Sequence, residues 1–318
     1  MKQLLLLIVL LSVQSIFLNA QDKDYIEWYL FREDVNIFVK EIGTGKDTVI
    51  VVHGGFGANH DYMTDAIKGL EKKFRFFLYD QRGSVLSYTD KENLTFQKNV
   101  EDLHALVKAL KLKNANIFCH SMGTLVGMEF TKQHPELVSH LVLAGTIVPK
   151  AEGDESVFTE RYGEQVHFLQ NREEVIELLQ PYRDKGIDSL RKVVRDDSPF
   201  SHKELTEHWR IQFASTNIYD VSKYHLLKGG MAYYKPDGAA IAETVDFNYD
   251  YRDVLNDKTK TTIINGDYDF LDFNGEVLKE LLKGYNNIEL LIIPNAGHNS
   301  WVDNPGLFKK YLKHGLTR

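Results

Sequence analysis

Six short apolar runs, TVIVVHGG, FRFFLYDQRG, ANIFCHS, HLVLAG, TTIINGDYD and IELLIIPNAGH, constrain this chain more than any other feature. Their apolar parts lack polar alternation and are rich in Val, Ile and Phe, which fits strands buried on both faces. Helical patterns follow the first three: DYMTDAIKGLEKK, VEDLHALVKALKL and TLVGMEFTKQH. Parallel neighbours need crossovers, so the alternation predicts an α/β chain with a mostly parallel, doubly wound sheet flanked by helices. YIEWYLF and VNIFVKEIG, joined near Arg32-Glu33-Asp34, add an antiparallel pair and bring the expected sheet to about eight strands.

The alternation stops between Ile147 and Val245. There Phe158, Tyr162, Val166 and Leu169 recur at helical spacing, and Val175, Ile176, Leu178 and Leu179 follow in a second helical stretch, with Pro181 and Gly186 read as breaks. The chain is thus divided into a core (21–146), a helical cap (147–245) inserted after the sixth strand, and a second core part (246–318). The insertion leaves the sheet after HLVLAG, at a strand carboxyl end, and returns before TTIINGDYD; open parallel sheets bind ligands at carboxyl ends, so it is expected to cover the site.

Residues 1–20 combine Lys2, an apolar stretch and Ala20 before Gln21-Asp22, the layout of a secretory signal. A periplasmic or secreted protein is expected, an uncleaved anchor being the alternative. A net charge of −7 argues against a nucleic-acid partner, because phosphate neutralisation needs a basic surface. Cys119 is the single cysteine, which excludes an intramolecular disulfide framework.

The chemistry centres on Cys119-His120-Ser121-Met122-Gly123, a G-x-S-x-G pattern with cysteine at its first glycine, lying between a strand and a helix. A serine hydroxyl is a weak nucleophile until a base takes its proton, and the base needs a third group to fix its tautomer. His298, on the loop after the last strand, is the candidate base. The turn after TTIIN holds two candidate acids, Asp267 and Asp269. The glycines of VVHGGFG, at the end of an early strand, let backbone approach a ligand, so Gly55 N–H is assigned to an oxyanion hole, with Met122 N–H as the second donor and Phe56 as a neighbouring contact. Cys119 precedes the turn and reads as an inert core residue. No H-E-x-x-H occurs, neither metal nor cofactor is expected, and the partner is a small molecule or short peptide.

With these residues in place, the chain resembles the α/β-hydrolase superfamily over essentially its whole mature length. HGGFG and YDQRGS look most like the proline iminopeptidase branch of the serine peptidases, whose usual forms are H-G-G-P-G and D-Q-R-G-S-G-x-S. Ser84 and Ser87 match; Phe56 replaces the proline and Val85 a glycine. The spacing Gly266-Asp267-Tyr268-Asp269 is similar to the family's G-x-x-D, which selects Asp269 as the acid and leaves Asp267 as a turn residue. Asp80 and Arg82 are expected to brace the neighbouring loop. The resemblance implies a Ser121–His298–Asp269 hydrolase, with aminopeptidase action on short peptides ahead of carboxylester or carbon–carbon hydrolysis. A non-catalytic binding protein on the same scaffold is the alternative of another class. An aminopeptidase also needs carboxylates for the substrate ammonium; Glu204 and Glu207 are the named candidates, with Glu152 and Asp154 also available.

Overall fold

The computed structural model describes residues 24–151, 155–187, 200–228, 236–257 and 259–318. The proposed leader, Glu152 and Asp154 lie outside the described residues, as does the side chain of Phe158.

Eight strands form one sheet in the order β1-β2-β4-β3-β5-β6-β7-β8. β1 (Tyr25–Phe31) pairs antiparallel with β2 (Asn36–Ile42), and β2 pairs antiparallel with β4 (Phe74–Tyr79). β4, β3 (Asp47–Val52), β5 (Ala115–His120), β6 (Val138–Ala144), β7 (Lys260–Gly266) and β8 (Ile288–Ile293) run parallel. Their carboxyl ends therefore share one edge, and the loops after β3, β5, β6, β7 and β8 gather there.

The apolar runs are continuous because each strand feeds two cores. In β3, Ile50 and Val52 face one cluster with Ile117, Leu141 and Ile263, while Val49 and Val51 face another with Phe118, Val142 and Ile264. Each such side chain contributes about 1.5–3 kcal/mol on full burial. Helices α2 (Phe96–Ala109) and α3 (Gly123–Gln133) supply Val100, Leu103, Leu125 and Val126 to the first face. Met63 and Ile67 of α1 (Met63–Ile67) pack on the second. α1 is shorter than the pattern DYMTDAIKGLEKK predicts, since Gly69 adopts φ +89°, a left-handed conformation that ends the helix.

The cap leaves after β6. Its two legs pair through an antiparallel bridge at Lys150 and Asp250, with Ala151 N–H donating to Tyr249 O and Tyr251 N–H to Pro149 O. It contains α4 (Glu155–Gln170), α5 (Glu173–Arg183) and α6 (His202–Asn217); α5 and α6 share a small core of Val175, Leu179, Ile211 and Ala214. Pro181 does not break α5. The helix runs to Arg183, and the carbonyl that Pro181 leaves without a donor belongs to solvent-exposed Glu177. Gly186, at φ +87°, follows the helix end. A short α7 (Arg252–Asn256) leads into β7. Beyond that strand come α8 (Glu276–Leu281), α9 (Ser300–Asp303) and α10 (Pro305–Gly315), whose Phe308 and Leu312 close the second core face.

Candidate active site

Ser121 leaves β5 at φ +53°, a left-handed backbone that a non-glycine residue adopts only under constraint. Its N–H donates to Ala144 O at 3.1 Å, and its carbonyl accepts from Thr124 N–H and Oγ1 at 2.8 and 2.6 Å. Glycine is required at 123, where a Cβ would sit 2.3 Å from His53 O. The cysteine at the motif's first position has its own accommodation: a Cβ on Gly127, one turn into α3, would fall 2.4 Å from Cys119 Sγ. Burial pushes the Cys119 thiol far up, so it stays protonated and inert.

The loops after β7 and β8 bring Asp269 to His298. His298 Nδ1 lies 3.0 Å from both Asp269 oxygens. A carboxylate accepts, so Nδ1 carries the proton and Nε2 is left as the basic nitrogen. Asp269 is fully buried and also accepts Leu271 N–H at 3.0 Å. Asp267 has another role: its two oxygens accept Asn295 and Ala296 N–H at 2.9 and 3.0 Å, which holds the loop that carries His298. Asp303 secures the same loop, accepting Gly297 N–H at 2.9 Å on one side and the cap's Tyr219 and Asp220 N–H at 2.8 and 3.0 Å on the other.

Ser121, His298 and Gly55 line one cavity of about 390 Å³ between sheet edge and cap. Gly55 has φ +65°, and Met122 opens α3, where first-turn amides lack intrahelical acceptors. The two motifs of the family resemblance grip each other. Gln81 N–H donates to His53 Nε2 at 3.0 Å and Gln81 Nε2 to His53 O at 2.6 Å, while Asp80 Oδ1 accepts His60 N–H at 2.8 Å. Burial lowers the His53 pKa and keeps that ring neutral. Arg82, fully buried, is held by Asp102 at 2.7 Å and Asp34 at 3.0 Å.

Three expected substrate contacts lie elsewhere. The Phe56 ring is buried in the core, edge-on to Phe96, because the loop turns it away from the cavity. Glu204 pairs with Lys185 at 2.8 Å and completes a capping box with Ser201, contacts that, Lys185 first, hold its carboxyl down at about 2. Glu207 accepts the Tyr182 hydroxyl at 3.0 Å. Neither glutamate lines the cavity. Its described walls are instead largely apolar, with Tyr162 and Val166 from α4, Trp209 and Phe213 from α6, and Phe270 beside the His298 ring. The i, i+4 spacing of Trp209 and Phe213 was the available signal for a lining face; they stack at 5.0 Å. Gly145, after β6, belongs to none of the catalytic sequence motifs, yet a Cβ there would lie 2.7 Å from His298 Nδ1 and 3.1 Å from Asp269 Oδ2.

A family model for the alpha/beta hydrolase fold matches residues 47–305, spanning core, cap and both halves of the site. The chain belongs to the alpha/beta hydrolase family. This hydrolase is 26% identical over 277 residues to AB hydrolase superfamily protein YisY of Bacillus subtilis, covering 85% of this chain and 91% of the relative. Among solved structures it is similar to an esterase from Exiguobacterium antarcticum (TM-score 0.62, 18% identity, 89% of this chain and 96% of that one). It is also similar to a proline iminopeptidase-related protein from Thermus thermophilus (TM-score 0.61, 19% identity, 92% and 97%). At these identities the structural likenesses establish the fold. No helix among the described residues is long and apolar enough to cross a membrane.

Proposed function

We propose that this hydrolase is a serine carboxylester hydrolase for small esters with apolar acyl groups. Ser121 Oγ attacks the ester carbonyl carbon while His298 Nε2 takes the hydroxyl proton, and the negative charge on the carbonyl oxygen meets the Gly55 and Met122 amides. Collapse breaks the bond to the alcohol, which leaves with the proton from His298. Water then attacks the acyl-enzyme by the same route, releasing the acid and restoring Ser121. Asp269 holds the imidazolium that forms in each half-reaction.

The observation that carries the reading is the Asp269–His298 pair, with Nδ1 3.0 Å from both carboxylate oxygens, beside the cavity that Ser121 lines. Preference for an ester over an N-terminal peptide rests on charge. The one carboxylate among the described lining residues, Asp65, is paired with Lys228 at 3.1 Å, and the glutamates expected to hold an ammonium are outside. Aminopeptidase action is the second reading, favoured by the mutual grip of HGGFG and DQRGS.

Ser121→Ala should lower kcat on p-nitrophenyl butyrate by on the order of 10⁶ without altering Tm, as expected when the nucleophile of a triad is removed. Wild-type turnover by this variant rules out the mechanism. Parallel assays on alanine and proline anilides separate the readings: anilide turnover that requires a free amine and exceeds ester turnover selects the peptidase. Export is a separate proposal from the leader-like residues 1–20, checked by N-terminal sequencing of the mature protein.

A further inference from the structure

Along the cavity wall, three hydrogen bonds join the three loops of the site. Gly54 N–H lies 2.6 Å from Tyr62 Oη, Tyr62 Oη 2.8 Å from His120 Nδ1, and His120 Nε2 3.3 Å from His298 O. Chemistry sets the direction of each. A carbonyl oxygen only accepts, so His120 Nε2 carries a proton. His120 is buried and its pKa is pushed far down, so the ring is neutral and Nδ1 is bare. Nδ1 must then accept the Tyr62 hydroxyl proton, and Tyr62 Oη accepts from Gly54. Because the one phenolic proton points at His120, Tyr62 is not a donor to the substrate oxyanion, although its ring lines the cavity.

Each end of this chain abuts reacting groups. Gly54 backs so closely onto the nucleophile that a Cβ there would lie 2.4 Å from Ser121 Cβ, and it precedes the oxyanion donor Gly55. The other end is the main chain of the base itself. Trp301, three residues past His298, stacks on Tyr62 at 6.0 Å and meets His120 edge-on at 4.8 Å, so ring packing holds the same three parts in register.

We propose that Tyr62 is a positioning residue that, through His120, sets the anion-binding loop and the base loop against Ser121. This rests on the serine-hydrolase reading. Positioning groups act on the transition state more than on ground-state binding, and small displacements of reacting groups are costly.

Tyr62→Phe removes one oxygen and keeps the ring against Trp301. It should lower kcat on p-nitrophenyl butyrate by roughly 10- to 100-fold, the cost of displacements of up to about 1 Å, with KM within about twofold. In the wild-type protein, ¹⁵N shifts of His120 should report a protonated Nε2 and an unprotonated, hydrogen-bonded Nδ1, and the Nδ1 signal should move in Tyr62→Phe. Unchanged kcat in Tyr62→Phe, with or without a fall in Tm, overturns the proposal. So does an Nδ1-protonated His120. If Ser121→Ala is inactive while Tyr62→Phe turns over normally, the hydrolase mechanism stands and only the positioning role fails; if Ser121→Ala is active, both fall.

Discussion

Gly127 leaves the space that Cys119 fills, with a Cβ at position 127 destined to lie 2.4 Å from the cysteine Sγ. The pair explains how the elbow keeps its geometry with cysteine where the G-x-S-x-G pattern has glycine: the room for a side chain is taken from the facing helix. Ala normally gains about 1 kcal/mol over Gly inside a helix. Here overpacking of a fully buried contact, costing about 1–3 kcal/mol, outweighs that gain. Gly127→Ala should therefore lower the denaturant midpoint, and adding Cys119→Ala should recover most of the loss. A stabilised single variant contradicts the packing argument.

Gly145 stands against the imidazole and carboxylate of the proposed triad at φ +49°. Gly145→Ala places a methyl carbon 2.7 Å from His298 Nδ1 and 3.1 Å from Asp269 Oδ2, closer than van der Waals contact allows. Disturbing the group that orients a catalytic histidine costs up to about 10⁴ in kcat, so a loss of roughly 10²–10⁴ is expected in steady-state assays. The backbone strain alone should cost about 1 kcal/mol of stability.

Asp34 accepts from Arg82 at 3.0 Å and from Lys98 at 2.6 Å, and these contacts, Arg82 first, hold its carboxyl far below the ordinary aspartate range. A depressed folded-state value means that the carboxylate stabilises the fold above about pH 4, the unfolded aspartate value, and that this contribution disappears as pH falls toward the depressed value. Asp34→Asn should cost about 1.5–3 kcal/mol at pH 7, the range for hydrogen bonds to charged groups. In urea titrations the gap between wild type and variant should narrow below about pH 4. A gap that widens on acidification contradicts the assignment.

Lys228 reaches from the cap to Asp65, and its Nζ also donates to Thr64 Oγ1 at 2.6 Å. Both partners of the ion pair are more than a third exposed, so the pair adds at most about 1 kcal/mol to stability. Its larger effect is on charge at the cavity wall. Lys228→Met leaves Asp65 without its partner and should raise kcat/KM for an amine-bearing ester over its N-acetylated analogue by up to about fivefold, the equivalent of ~1 kcal/mol. An unchanged ratio removes Asp65 from substrate selection.

Strand and helix order were readable along the chain because burial on both faces of a parallel sheet demands continuous apolar runs, and crossover helices demand a different period. Ser121, Asp269 and His298 could be nominated because each ends a strand or follows one closely, and parallel strands deliver such ends to one edge. The choice of Asp269 needed the family's G-x-x-D spacing; the structure then gives the two carboxylates different partners, His298 for Asp269 and loop amides for Asp267.

The features legible along the chain are periodic or local: fold class, the cap's place after the sixth strand, the elbow and the neighbouring glycines. Contacts between residues far apart in the chain, which no spacing encodes, came only with folding. Glu204 paired with Lys185, Phe56 turned into the core, and Gly145, Tyr62 and Trp301 came against the site. The reason is physical: a side chain's neighbours depend on how loops close around the sheet edge, and loop closure is set by the summed packing of the whole domain rather than by any local pattern.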